Sequence, residues 1–239
     1  MGWVDDFVAY AESQVDDRMR EALYTRGVTD EQMALYRLGY FNRELPDLPY
    51  PKEFLDWSKD GGKLDDVIVL PLTTTLGALK GLQFRHVERE RAGYMDFIAE
   101  KGDLALFGLA QAMPHVWETR SIALVEGGFD LFPIQRTFPG SVATLTARVV
   151  EPLVRILRRL VAQVWLIYDM DTPGRNACEK FTRQHGEEFK IHVPKYPSVP
   201  KIGGGLTKDP GELWEAWGEE KFSAHFRSVM DPQREPFHA

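Results

Sequence analysis

The chain has one cysteine, Cys178, in 239 residues, so it has neither a disulfide framework nor a multi-cysteine zinc site. A single thiol fits a reducing, cytoplasmic setting. No apolar run approaches the ~18 residues needed to span a bilayer. Asp5 and Asp6 stand where a signal peptide would be basic and then apolar. These absences lead us to expect a soluble, intracellular protein with no membrane role. A basic surplus is lacking too: 29 Lys and Arg face 36 Asp and Glu, for a net charge of −7. Such a balance does not advertise nucleic-acid binding, although a local groove can be basic while the rest is acidic. There is no internal repeat and no low-complexity tract. What remains is ordinary globular composition, 44% hydrophobic and 27% charged, in a chain long enough for one large domain or two small ones.

Two short apolar runs organise this material. Ser121-Ile122-Ala123-Leu124-Val125 ends in Glu126-Gly127-Gly128, and Val164-Trp165-Leu166-Ile167-Tyr168 ends in Asp169-Met170-Asp171-Thr172-Pro173-Gly174-Arg175. Each is of strand length and apolar on both faces, as expected of inner strands in a parallel sheet covered by helices. Sites in open α/β sheets form at the carboxyl ends of strands. Glu126, Asp169 and Asp171 are therefore expected at one edge. Three carboxylates there repel one another unless a cation sits among them, and an all-oxygen ligand set favours Mg²⁺ or Mn²⁺ over zinc. Such a site suits phosphoryl or nucleotidyl transfer. A lone Asp-x-Asp is usually a solvated turn, and an acid before glycine is often turn chemistry; the two together, each ending an apolar strand, are much harder to assign to chance.

These segments, Val125-Glu126-Gly127-Gly128-Phe129-Asp130 and Tyr168 through Arg175, resemble the two signatures of the Toprim domain, and most closely those of bacterial and phage DnaG-type DNA primases. Further matches follow that family's order. A helical entry at Leu23–Tyr40 comes first. Next is a hairpin from Val67 to Val87 with Pro71, Gly77, Gly81 and Arg85 in family positions, departing at Gln83-Phe84. The helix expected over Leu104–Ala112 follows, just before the first Toprim strand. The resemblance spans about Leu23 to Phe222. It implies an α/β fold, a Toprim domain with a mostly parallel sheet flanked by helices, plus a mixed α+β N-terminal subdomain, with the active site in the groove between them. We place the primase-core subdomain at 1–118, the Toprim domain at 119–200, and a flexible loop with C-terminal helices at 201–239.

Periodicity predicts one helix from Val4 to about Tyr24, ended by Gly27, then a capping box at Thr29 and Gln32 opening a helix that stops at Gly39. A short helix is expected at Lys52–Trp57. Beyond Glu126 a helix should begin near Gly128, kinked or started late by Pro133. A second strand is expected at Ser141–Leu145, and a helix over Ala147–Leu160 with Arg148, Arg155, Arg158 and Arg159 on its solvated face. Phe189–Pro194 should form another strand, Tyr196–Thr207 a mobile loop, and two helices, to about Trp217 and Val229, should close the chain.

The resemblance also implies roles. Asp169 and Asp171, helped by Asp130 and Asp209, would hold Mg²⁺ or Mn²⁺, with no zinc. Glu126 would be a general base or a further ligand, two roles the sequence leaves open. In the family the segment around Asp209 reads Asp-Pro-Asp; here it reads Asp209-Pro210-Gly211-Glu212, which leaves the number of metals open. Arg175 and Lys208 are the candidate nucleotide or phosphate contacts. Lys80, Arg85, His86, Arg89 and Arg91, with Phe84 and Tyr94 among them, are the candidate template-binding surface, although Glu88 and Glu90 dilute its charge. The expected activity is Mg-dependent synthesis of RNA primers on single-stranded DNA from ribonucleoside triphosphates. A zinc-binding protein and a replicative helicase are the further expected partners, because family members often carry domains for these roles that do not fit in this chain. The alternatives are a Toprim nuclease and a primase-like DNA-binding subunit that has lost chemistry; a topoisomerase is least favoured, since no domain for a transesterifying Tyr is evident.

Overall fold

The computed structural model describes residues 2–59, 64–88, 94–98, 104–146, 148–201 and 204–230. The chain divides into two compact units, Met1–Ala105 and Leu106–Ala239.

In the first unit Val4, Phe7, Val8 and Ala11 form the buried stripe of α1, Trp3–Ser13. The single long helix predicted from Val4 does not form. The chain breaks after Ser13 because Asp16 caps a new helix, α2 (Asp17–Tyr24), its carboxylate accepting from the Met19 N–H at 2.7 Å. Gly27, at φ 77°, follows. The capping box forms as predicted: Gln32 N–H donates to the Thr29 hydroxyl at 3.1 Å and Thr29 N–H to the Gln32 side chain at 3.2 Å, opening α3 (Asp30–Tyr36). That helix stops on Arg37, itself left-handed at φ 53°, and not on Gly39. Gly39 instead begins β1 (Gly39–Phe41), where a methyl group would lie 2.5 Å from the Ala11 Cβ. Helix α4 is Lys52–Ser58.

The hairpin is β2 (Val67–Thr73) and β3 (Leu79–His86). A strand the sequence did not suggest, β4 (Tyr94–Ile98), pairs with β3, giving an antiparallel sheet in the order β1-β2-β3-β4. An inner strand of such a sheet is packed on its flanks. Val67, Val69, Leu82 and Phe84 join Phe7, Phe41 and Phe54 in one apolar cluster. Phe84 lies 6.2 Å from Phe7 and 5.4 Å from Trp57 between ring centroids.

The second unit opens with α5 (Leu109–Thr119), which starts after Gly108 at φ 83°, later than the Leu104 predicted. It packs against the strands that follow, so the chain divides after Ala105 and not after residue 118. The remaining elements are β5 (Ser121–Val125), α6 (Leu131–Gln135), β6 (Ser141–Ala143), α7 (Glu151–Leu160), β7 (Gln163–Ile167), α8 (Thr172–His185), β8 (Lys190–His192) and α9 (Pro210–Val229). The strands form a wholly parallel sheet in the order β6-β5-β7-β8. Every residue of β5 is buried, as its two-sided apolar run requires.

Pro133 falls in the first turn of α6, where a missing N–H costs no helical bond, so the helix starts late and is not kinked. Helix α7 begins at Glu151, after Val150, and not near Ala147. Its Arg158 pairs with Glu151 and Glu188, the solvated role expected of these arginines. Gly218, at φ 72°, divides α9 into the two helices the sequence suggested. The segment expected to be a mobile loop is stapled at its base: Val199 N–H donates to the Thr207 hydroxyl at 2.9 Å, and Tyr196 OH to the Tyr168 carbonyl at 2.8 Å.

Candidate metal and nucleotide site

Strands β5 and β7 are neighbours, with Val125 opposite Ile167. Glu126 and Asp169 thus leave the sheet at the same carboxyl edge, one residue out of step. Asp171 follows as the N-cap of α8, its Oδ1 accepting from Gly174 N–H at 2.9 Å. The long route from β8 to α9 returns to this edge: the Lys208 carbonyl accepts from Met170 N–H at 2.6 Å. Asp209 is thereby set beside the others as the N-cap of α9, its Oδ1 accepting from Glu212 N–H at 2.7 Å. Asp130, the N-cap residue of α6, is buried at 8% exposure and accepts from Gly127 and Gly211 N–H groups, each at 3.0 Å. The structure brings together all five acids singled out in the sequence.

Their proximity is visible in their acidities. Burial raises Asp169 to about 7, and the Glu126 and Asp209 carboxylates add to the rise. Burial raises Glu126 as well, with Asp171 adding and the Asp169 backbone N–H opposing. Asp130 is pushed well up by burial, then by Asp209 and Asp169, against the help of its two backbone donors. Asp209 is raised mainly by burial. Burial and crowding that weaken acidity in this way mean that the carboxylates lack a sufficient counter-charge. The ammonium of Lys208 supplies part of one, favouring the charged forms of Glu126, Asp169 and Asp209.

The donor set is oxygen only, and Glu126 Oε2 is buried with no hydrogen-bond partner. By chemistry these residues fit a hard divalent cation. They are not a ready-made shell, however: among the described residues no three or more His, Cys, Asp or Glu side chains converge closely enough to hold a metal as they stand. Asp130 accepts backbone N–H bonds on both oxygens, whereas Asp171 and Asp209 each accept one on Oδ1. Glu212 does not replace the acid missing at Gly211. Its oxygens are taken by Lys201 Nζ at 2.8 Å and Lys208 N–H at 2.9 Å.

Other expected residues fare differently. The Arg175 guanidinium donates to the Met170 carbonyl and lies 3.5 Å from the Thr172 hydroxyl. It steadies the backbone between Asp169 and Asp171, not their carboxylates. Of the template surface, Phe84 is wholly buried in the apolar cluster and has no face on which to stack a base. His86 is 7% exposed, with Nδ1 2.9 Å from the Asp65 carbonyl, so it is not placed to meet a phosphate. Phe84 packs against Phe7 of α1 and against Trp57 of α4, while His86 is paired with Val67 of β2. Lys80 and Arg85 are half-buried. Arg89, Arg91 and the side chain of Tyr94 lie outside the described residues. Tyr196, which sequence reasoning passed over, holds the Tyr168 and Lys208 carbonyls together at 2.8 and 3.4 Å; a tyrosine in a Pro-rich stretch gave no signal of it.

Residues 123–210, the span that holds all five acids, match the Toprim-like family. Over 238 residues the chain is 26% identical to the DNA primase of Treponema pallidum (strain Nichols), covering 90% of this chain and 38% of that one. The RNA polymerase domain of Mycobacterium tuberculosis primase DnaG superposes with a TM-score of 0.74 at 18% identity, over 98% of this chain and 82% of that one. In sequence and in fold the chain is similar to the RNA polymerase region of DnaG-type primases. A DnaG primase catalytic domain bound to single-stranded DNA superposes comparably, with a TM-score of 0.71 at 19% identity, over 95% of this chain and 80% of that one. The helical entry and the hairpin expected from the resemblance precede the parallel sheet. The chain spans well under half the length of the primase it matches. None of the described helices is long and apolar enough to cross a membrane.

Proposed function

We propose that this chain is the catalytic core of a primase, adding ribonucleotides to a primer on a single-stranded DNA template. The observation that carries the reading is the gathering of Glu126, Asp169, Asp171 and Asp209 at one sheet edge, where each of the three raised acids lacks sufficient counter-charge. Glu126 through Oε2, Asp169, and the second oxygens of Asp171 and Asp209 would hold Mg²⁺ or Mn²⁺. Bound there, such an ion neutralises charge on a triphosphate and on the departing pyrophosphate. Lys208, already beside the acids, would meet the phosphates. Arg175 would fix the loop that presents Asp169 and Asp171. Glu126, its acidity weakened by burial, would take the proton of the attacking 3′-hydroxyl or complete the ligand set. Lys80 and Arg85 remain as template contacts through phosphate, and a DnaG domain of the same fold has been captured on single-stranded DNA. A zinc-binding protein and a helicase acting in trans are further proposed partners.

One specific observation favours a second reading, a primase-like binding subunit with reduced chemistry: Gly211 stands where an acid is expected, and no three-carboxylate shell is assembled among the described residues. The test is a priming assay with single-stranded DNA, ribonucleotides and Mg²⁺, run with and without a separately supplied zinc-domain protein. Ribonucleotide incorporation supports the core reading. Template binding without incorporation in either arm supports the binding subunit. Nicking of the DNA with Mg²⁺ and no nucleotides would point instead to a Toprim nuclease.

A further inference from the structure

Both oxygens of Asp130 are committed to backbone. Oδ2 accepts from Gly127 N–H and Oδ1 from Gly211 N–H, each at 3.0 Å. The first donor lies one residue beyond Glu126, in the turn after β5. The second lies two residues beyond Asp209, in the first turn of α9, and 81 positions along the chain from Asp130. The fit is close: a methyl group on Gly211 would lie 3.1 Å from Asp130 Oδ1. Two N–H donors stabilise a buried carboxylate and in turn depend on it, because buried N–H groups without an acceptor are costly.

We propose that Asp130 is a positioning residue, which ties the Glu126 turn to the start of α9 and so delivers Asp209 to Glu126 and Asp169, and that it does not ligate the ion. The clamp stands on hydrogen bonds alone; only its consequence for metal rests on the function proposed above. The capping bond from Glu212 N–H to Asp209 at 2.7 Å makes Asp209 and the first turn of α9 move together, so what holds Gly211 also holds Asp209.

The test is Asp130→Asn in the full chain, read two ways. In protein stripped with chelator, amide hydrogen exchange at Gly127 and Gly211 is followed by NMR. Loss of a charge-assisted bond should speed exchange at one or both by at least ~10-fold. In Mn²⁺ titration calorimetry the number of ions per chain should equal that of the parent while affinity falls. Unchanged amide exchange overturns the proposal, as does the loss of a whole ion. Gly211→Ala, which removes no carboxylate, guards against a variant that fails to fold. It should weaken Mn²⁺ binding at unchanged stoichiometry, and unaltered affinity there contradicts the proposal. If the parent chain itself binds no Mn²⁺, the metal reading fails, and the amide exchange alone still decides the clamp.

Discussion

A methyl group on Gly174 would lie 2.2 Å from the carbonyl oxygen of Asp169. The first turn of α8 is pressed onto the backbone of an acid at the sheet edge, and Gly174 N–H is also the donor to Asp171 Oδ1 at 2.9 Å. One glycine thus sets the approach of two carboxylates. Gly174→Ala should destabilise the fold by about 1–3 kcal/mol, the usual cost of overpacking, and weaken Mn²⁺ binding more than its loss of stability explains. Thermal unfolding and titration calorimetry on the same preparation check both.

The acids make stability depend on pH in a definite sense. Asp169 is raised to about 7, far above its ordinary 3.8, so between these values the folded chain binds more protons than the unfolded one. Stability therefore falls as pH rises through that window, and the loss is complete above the folded value. Buried His192, held down at about 4, works the other way below its ordinary 6.5. The informative range is accordingly about pH 6.5 to 8. Chelator-treated protein should melt lower at the alkaline end, and Asp169→Asn should flatten the slope. Excess Mg²⁺ should also flatten it, since binding favours the ionised carboxylates. A melting temperature that climbs with pH across this range would refute the assignment.

Residues of β3 should separate cleanly under mutation. Phe84→Ala should cost roughly 3–5 kcal/mol, as expected for a ring deleted from a core, with DNA affinity lost only through unfolding. Lys80→Ala should leave the melting temperature nearly unchanged, weaken single-stranded DNA binding, and reduce the salt dependence of that binding by about one phosphate contact. Fluorescence anisotropy at several salt concentrations reads this directly.

Tyr196→Phe removes the hydroxyl that joins the Tyr168 and Lys208 carbonyls. A loss of about 1 kcal/mol is expected for the missing bond. Because Lys208 precedes Asp209, Mn²⁺ affinity should fall several-fold while the number of ions stays constant. Equal affinity in calorimetry would show that the loop is held by its other staples, at Ser198, Val199 and Thr207.

What could be read in advance follows the range of the forces involved. The ends of β5 and β7 were legible because a buried strand must be apolar on both faces and because an acid followed by glycine is a local pattern. The Thr29 capping box, the Pro71–Gly77 hairpin and the division of α9 near Trp217 are local in the same way. The break at Asp16 was hidden by an apolar stripe that carries on through both helices. The stop at Arg37 was hidden because a non-glycine residue takes the left-handed turn. Strand β4 carried no alternating pattern strong enough to mark it, and the packing of Phe84 on Phe7 and Trp57 joins segments far apart in the sequence. The hydrogen bond that Asp130 accepts from Gly211 N–H joins segments 81 positions apart, and no spacing rule reaches that far.

The most direct test of the account is incorporation of ribonucleotides on single-stranded DNA with Mg²⁺, comparing the parent chain with Asp169→Ala. Asp169 sits at the centre of the raised acids, so its removal should abolish nucleotide addition while the far-ultraviolet spectrum and cooperative melting remain. Primer synthesis by the variant at a rate near that of the parent would contradict it.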